Sequence, residues 1–182
     1  MPGQQIRIAG PDGETISDGQ PGEVQIKGPN VMRGYLHRPE ETQKAFVNGW
    51  LRTGDIGRID TDGYLTLVDR AKDMIIRGGE NIYPKEIENV AYELPGVLEA
   101  AVVGQPHDVR GEEPVLFVSV TDDATTEETI SAHLERSLSR YKRPVEIFIV
   151  DDVPKNPVGK IDKPSLRSRL KTQSTDQPTP TP

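Results

Sequence analysis

The chain has 182 residues, with 22 Lys or Arg against 29 Asp or Glu, and therefore a formal net charge of −7. Because nucleic acids and anionic membranes bind basic surfaces, this balance argues against partners of either kind. The chain has no cysteine, which excludes thiol catalysis, disulfides and cysteine-type zinc sites. No apolar run approaches the roughly 18 residues of a membrane span, so we expect a cytoplasmic protein.

Residues 1–71 are predicted to be rich in β-structure. The segments 6–8 and 24–26 alternate apolar and polar residues, as half-buried strands do. Asp-Gly at 62–63 is typical of a hairpin turn. Between these segments, a short helix is predicted to begin at Pro39, because proline is favoured at the first helical position.

Residues 72–170 are predicted to mix helices and strands. The apolar runs predicted as strands are 74–76, 97–103, 114–120 and 145–150. Pro84 is expected to open one helix. Thr125, followed three residues later by Glu128, gives the capping-box signature of a second, and Asp162 is expected to cap a third.

The charged run at 69–73 is the predicted boundary between these two parts, because it separates two apolar strands. Residues 171–182 are rich in Thr, Gln and Pro and lack apolar anchors. We expect that tail to be disordered.

Two charged segments have side chains that could bind a nucleotide. Asp55 follows Thr-Gly at a turn, where a carboxylate can accept two hydrogen bonds from a ribose diol; an ordinary Asx turn fits the same residues. Arg70 and Lys72 stand beside carboxylates. That run fits an exposed linker whose charges cancel as well as it fits a site.

Two glycine-containing segments follow. Gly78 and Gly79, between a predicted strand and a predicted helix, allow a ligand to approach the backbone closely, and they equally allow a plain tight turn. Lys160 lies on a loop with Gly and Pro, where it can be a point charge for a phosphate or part of a solvated surface. The loop is not a P-loop, because Pro154 and Ile161 stand where Gly and Ser or Thr are needed.

Metal and serine chemistry are not predicted. The three histidines at 37, 107 and 133 lack metal-ligand spacing. No Gly-x-Ser-x-Gly elbow is present.

The order and spacing of the segments 53–55, 69–73, 77–88 and 154–160 resemble the C-terminal third of the adenylate-forming (AMP-binding) enzymes. This superfamily holds acyl- and aryl-CoA synthetases, peptide adenylation domains and luciferases. The resemblance implies an α+β fold. Residues 1–71 would be a small β-rich remnant, the C-terminal β-subdomain of the large AMP-binding domain, and residues 72–170 the compact C-terminal domain.

The resemblance also implies a ligase, an acyl-CoA synthetase that makes an acyl-adenylate from a carboxylic acid and ATP and then a thioester with CoA. ATP, Mg²⁺ and CoA would be required, with Mg²⁺ held mainly by the large domain. Position by position, Asp55 would bind the ribose hydroxyls and Arg70 the ribose or phosphate. Lys160 would be the catalytic lysine of adenylation.

The remaining implied roles concern the change between the two steps. Lys72 would be the hinge of the small domain, and the lysine there is more similar to acyl-CoA synthetases than to relatives with aspartate. Gly78 and Gly79 would lie beside the pantetheine tunnel during thioester formation.

No Ser/Thr/Gly-rich phosphate loop or acyl pocket occurs in the sequence, so we expect a fragment of such an enzyme. Two alternatives remain open: part of an adenylation domain that loads a carrier protein, and a non-catalytic module that binds nucleotide or docks on a partner.

Overall fold

The structure, a computed structural model, describes residues 2–17 and 19–175. The chain divides into two compact units, the first ending at Lys72 and the second beginning at Asp73. A 3-10 turn, Ala71–Asp73, contains the junction. Within the described residues, no helix is both long and apolar enough to cross a membrane.

The first unit is a single antiparallel sheet with one short helix. Its elements are β1 (Gln5–Ala9), β2 (Gly22–Lys27), α1 (Pro39–Ala45), β3 (Phe46–Val47), β4 (Trp50–Ile59) and β5 (Leu65–Arg70). The strands lie in the order β1-β2-β4-β3, and β5 also pairs with β4. The long strand β4 therefore pairs with three other strands, β2, β3 and β5, and is the central strand of the sheet.

The local signals read from the sequence are confirmed in this unit. The predicted strands form as β1 and β2 and bury Ile8 and Val24, although the burial does not alternate strictly, because Ile6 is exposed and Gln25 is buried. Helix α1 begins at Pro39. The turn at Asp62-Gly63 joins β4 to β5, and it is closed by Asp60, whose carboxylate accepts hydrogen bonds from the amides of Asp62 (3.0 Å) and Tyr64 (2.8 Å).

The second unit has a five-stranded sheet and three helices. Its elements are β6 (Ile75–Arg77), β7 (Glu80–Ile82), α2 (Pro84–Tyr92), β8 (Val97–His107), β9 (Gly111–Val120), α3 (Glu127–Ser137), β10 (Glu146–Ile149) and α4 (Lys163–Thr175). The order is β10-β9-β6-β7, and β8 also pairs with β9. The β9–β10 pairing is parallel, and the other pairings are antiparallel.

Both faces of this second sheet are covered. Because successive strand residues point to opposite faces, Ala100 and Val102 of β8 pack in an apolar cluster with α2 and α3. Ala101 and Val103 pack in a second cluster with α4. The second unit is thus a three-layer arrangement, and the predicted α+β class is confirmed.

Three details of the prediction are wrong. The capping box of α3 starts at Thr126, whose N3 partner is Thr129, because the hydroxyl of Thr125 is instead buried against Asp122 (3.1 Å). The strand β7 was not predicted. Helix α4 continues to Thr175, five residues into the segment expected to be disordered, and residues 176–182 of that segment lie outside the described residues.

Candidate functional site

Asp55 and Arg70 form an ion pair across two neighbouring strands of the first unit. They are register partners on β4 and β5, and Arg70 Nε lies 3.0 Å from Asp55 Oδ1. The Asp55 side chain is 30% exposed. Because a carboxylate can accept about four hydrogen bonds, the arginine contact leaves capacity for a hydroxyl pair.

The turn before Asp55 is held by Thr53. Its hydroxyl donates to the carbonyl of Val24 on β2 (2.8 Å) and accepts from the amide of Asp55 (3.1 Å). Gly54 has φ +72, and a Cβ there would meet no atom within 4 Å. Glycine is therefore needed for backbone conformation rather than for space.

This turn is a bulge in β4. The register between β2 and β4 shifts between Glu23 and Gln25, so the residues around Gly54 are additional to the ladder. Bulges redirect side chains at sheet edges and sites. One of the two interpretations left open by the sequence was an ordinary Asx turn at Asp55. In the structure, the side chain of Thr53 caps this turn instead.

Lys72 lies exposed in the 3-10 turn between two anchored residues. On one side, Arg70 is paired with Asp55 inside the first unit. On the other side, Asp73 Oδ1 accepts from Arg167 Nη2 of α4 at 2.8 Å inside the second unit. Each neighbour is thus fixed to its own unit, and Lys72 lies between them.

Gly78 and Gly79 form the two-residue turn between β6 and β7. Their φ values, +60 and +90, are those that a two-residue hairpin with two left-handed positions requires. The predicted strand–glycine–helix order is wrong, because β7 intervenes before α2. A Cβ on either glycine would meet no atom within 4 Å, so the tip of this turn is open.

Arg77, next to that turn, is a residue that the sequence reasoning missed. Its guanidinium donates to the carbonyls of Tyr141 (2.9 Å) and Arg143 (3.4 Å) and to Glu113 Oε1 (3.1 Å). These partners are distant in sequence, so no local spacing could reveal them. They tie the end of β6 to two other segments and hold the base of the Gly78-Gly79 turn.

Lys160 lies in the loop between β10 and α4, residues 154–162, which we call the Lys160 loop. Asn156 organises it: the Asn156 amide donates to the carbonyl of Lys160 (2.7 Å), and its side-chain oxygen accepts from the amides of Val158 (3.1 Å) and Lys160 (3.0 Å). Gly159, at φ +80, closes the turn onto the carbonyl of Asn156 (2.9 Å). The alternating Pro, Asn and Gly residues thus give a closed hairpin.

The lysines around this loop differ in their partners. Lys155 bonds Glu99 at 2.8 Å, and this hydrogen bond and the carboxylate's charge raise the pKa of Lys155. Lys163 bonds Glu88 at 2.8 Å. Lys160 is exposed, and it has no ion pair with any residue in the described part of the chain. Its charge is therefore available to a ligand.

The structure brings together two of the predicted site residues, Asp55 and Arg70. Lys72, the Gly78-Gly79 turn and Lys160 lie on three separate turns. The carboxylate with spare acceptors suits a ribose, and the exposed ammonium suits a phosphate. Among the described residues, no cluster of His, Asp and Glu has the arrangement of a metal site.

Comparison with known proteins identifies the family. Residues 86–160 match the family model described as the AMP-binding enzyme C-terminal domain. The long-chain-fatty-acid–CoA ligase of Escherichia coli O157:H7 is 43% identical over 171 residues, which are 94% of this chain and 30% of that protein. The 2-succinylbenzoate–CoA ligase of Oceanobacillus iheyensis is 47% identical over 147 residues, 81% of this chain and 30% of that protein.

A solved structure agrees with these matches. ATP-bound MatB from Rhodopseudomonas palustris superposes with a TM-score of 0.87 at 39% identity, over 94% of this chain and 35% of that one. The chain therefore spans about a third of the length of the proteins that it matches. It belongs to the adenylate-forming (AMP-binding) enzyme superfamily and corresponds to the C-terminal portion of its acyl-CoA ligases.

Proposed function

We propose that this chain is the C-terminal part of an ATP-dependent acyl-CoA synthetase. Residues 1–71 are the last β-subdomain of the large AMP-binding domain, and residues 72–170 are the small C-terminal domain. In the first step a carboxylate attacks the α-phosphate of ATP and releases pyrophosphate. In the second step the CoA thiol attacks the acyl-adenylate and releases AMP.

Lys160 carries the proposal for the first step. The carboxylate and the triphosphate are both anionic, so their approach and the charge on the departing pyrophosphate oppose reaction. A cation held in place beforehand offsets this repulsion in the transition state. Two observations support this role for Lys160. Its ammonium is exposed on a closed hairpin, and it has no ion pair in the described chain, whereas the lysines on either side of it are paired.

Asp55 and Arg70 are proposed to hold the ribose. The Arg70 contact orients the carboxylate, and the acceptor sites that remain on it suit a diol as the ligand. Mg²⁺ belongs, in this proposal, to the part of the enzyme outside the chain.

The second step is proposed to use the other turn of the small domain. With Lys72 as the hinge, rotation of the second unit exchanges the Lys160 loop for the Gly78-Gly79 turn at the reacting centre. The absence of side chains on both glycines leaves the open tip free for a pantetheine arm to pass close to the backbone.

The acid is proposed to be a medium- or long-chain fatty acid or an aryl acid, and the reaction to be cytoplasmic. The names of the two ligases compared above support this range: they differ in the acid and agree in CoA.

The test is a chimaeric enzyme in which this chain replaces the matching part of the E. coli ligase. Lys160→Ala should lower acyl-adenylate formation, measured by pyrophosphate release, by about 10²–10³-fold, because one preorganised charge contact is lost. Thioester formation from supplied acyl-adenylate and CoA should stay within a few-fold of wild type.

Lys44→Ala, which removes an exposed lysine of α1, is the matched control and should change neither step. A Lys160→Ala chimaera that makes acyl-adenylate at the normal rate contradicts the proposal. Transfer to a carrier protein but not to CoA would favour the adenylation-domain alternative, and nucleotide binding without either step would favour the non-catalytic one.

A further inference from the structure

Glu88 is a buried carboxylate in the second unit. It lies on α2 and is 4% exposed. Its Oε1 accepts from the amide of Val102 on β8 (3.0 Å) and from Nζ of Lys163 (2.8 Å), and Lys85 Nζ lies 3.7 Å from its Oε2. A buried charge is tolerated only when it is paired and hydrogen-bonded in this way. Glu88 therefore joins α2, β8 and the first residue of α4.

The residue that Glu88 holds stands at the end of the Lys160 loop. Lys163 opens α4, three positions after Lys160, and its side chain is 15% exposed. At the other end of the loop, Lys155 is tied to Glu99 of β8, and the amide of Asp162 donates to the carbonyl of Pro154 (2.7 Å). The two ends of the loop, which we call its stems, are thus both bonded to other elements of the second unit.

The surroundings of Glu88 make this carboxylate unexpected. The neighbouring α2 residues Ile87 and Ala91 are fully buried in the apolar cluster that also contains Val102. An apolar side chain at such a position is often as stabilising as a buried ion pair, because desolvation offsets the attraction of the charges. The buried amide of Val102 needs an acceptor here, but the neutral oxygen of a glutamine would also serve it, so the amide gives no reason for a charge. The bond to Lys163 is charge-assisted, and it fixes the position of that lysine.

We propose that Glu88 is a positioning residue, which sets the place of Lys160 by holding Lys163. The inference rests on the proposed role of Lys160 in adenylation. A displaced cation loses much of its effect on the transition state, since a shift of about 1 Å can lower a rate by roughly 10²-fold. Glu88 touches no substrate in this account and acts only through the stem of the loop.

The first experiment uses the 182-residue chain itself and measures tryptic cleavage after Lys160. Glu88→Gln and Lys163→Met should each increase that cleavage about tenfold, because a released stem opens the loop more often. The Lys163–Pro164 bond resists trypsin, so the substitution of Lys163 does not remove a competing site. Glu86→Gln is the matched control: it breaks an ion pair on the same helix, to Lys142 at 2.7 Å, and should leave cleavage after Lys160 unchanged.

Cleavage after Arg136 in α3 separates local from global opening. An increase confined to Lys160 supports the inference. No increase at Lys160, or an equal increase at Arg136, overturns it, whatever the role of Lys160 in catalysis.

The second experiment uses the chimaeric enzyme. Glu88→Gln should lower the kcat of acyl-adenylate formation about 10–100-fold and leave thioester formation from supplied acyl-adenylate within about twofold. In a Lys160→Ala background, the same substitution should have no further effect on adenylation, because the group that it positions is gone. A further loss in that background would mean that Glu88 acts independently of Lys160, which overturns the inference. A Lys160→Ala enzyme with normal adenylation overturns the proposed function instead, and the cleavage experiment still tests the positioning by itself.

Discussion

The two units of the molecule are built from sheets of the same strand number but are stabilised differently. The described first unit buries four apolar side chains, Ile8, Ala9, Val24 and Ile56, and the remaining buried apolar residues of the described chain all lie in the second. In the second unit, helices cover both sheet faces. Because burial of apolar area is the main stabilising contribution, most of the chain's own stability resides in the second unit.

The first unit uses polar contacts where the second uses apolar packing. Gln25 is 2% exposed, and its side-chain oxygen accepts two hydrogen bonds from the guanidinium of Arg7 (2.9 and 2.7 Å). The same guanidinium lies over the ring of Trp50, 4.6 Å from its centroid. Such contacts fix the orientation of side chains on the sheet, but each contributes only about 0.5–2 kcal/mol to stability.

The largest expected effect comes from breaking the core of the second unit. Leu116→Ala removes a fully buried side chain and should lower the free energy of unfolding of that unit by about 3–5 kcal/mol. Amide hydrogen exchange measures each unit separately. The loss of protection should appear in residues 84–150 and leave residues 1–71 unchanged.

Leu67→Ala in the first unit, where the side chain is 60% exposed, is the control and should change stability by less than about 0.5 kcal/mol. In the wild-type chain, residues 1–71 should exchange faster than residues 84–150. Equal protection in the two units would contradict the comparison.

A smaller effect is expected from the junction between the units. In the chimaeric enzyme, Lys72→Pro fixes φ where the proposed hinge must change it. This substitution should slow the domain rotation between the two steps about tenfold, which corresponds to a backbone conformational cost of about 1–2 kcal/mol. Single-turnover measurement of each step, against overall turnover, separates the hinge from the chemistry. Normal overall turnover would show that the hinge lies elsewhere.

The smallest expected effect is a pH dependence of the free energy of unfolding, confined to the second unit. Burial lowers the pKa of Lys142, but the hydrogen bond and charge of Glu86 outweigh it, so that the pKa of Lys142 is raised above its ordinary 10.5. A raised folded-state pKa gives stability that is full below the ordinary value and lost as pH rises through the folded value. The contribution should be below about 1 kcal/mol, because Glu86 is partly exposed.

Urea unfolding at pH near 9 and near 11.5 measures this contribution. Lys142→Met should lower stability at the lower pH and reduce the loss between the two values. The first unit, which lacks this pair, should not respond to the substitution. An identical pH dependence in wild type and variant would contradict the assignment.

The sequence predicted those features that depend on neighbouring residues. Alternation located β1 and β2, Pro39 and Pro84 marked helix starts, and Asp162 caps α4 by accepting from the amide of Ser165 (3.3 Å). Strand β7 was not predicted because Glu80-Asn81-Ile82 is short and mostly polar. It forms because it pairs with β6.

The parts of the site that the sequence could not predict are long-range pairs. Arg77 and Glu113 are 36 residues apart, and Glu88 and Lys163 are separated by most of the second unit. Neither pair has a local spacing, because packing of separate elements brings the partners together. The sequence singled out Lys160, but it could not show that the nearby Lys155 and Lys163 are paired with Glu99 and Glu88.

The parallel pairing of β10 with β9 has a consequence for the order of folding. Strands β8 and β9 are joined by a short connection and can pair early, within the microseconds typical of hairpins. Strand β10 joins β9 only after α3 and its connections have crossed the sheet, and such non-local pairings form slowly. The Lys160 loop follows β10, so we expect the surroundings of Lys160 to be completed among the last events of folding.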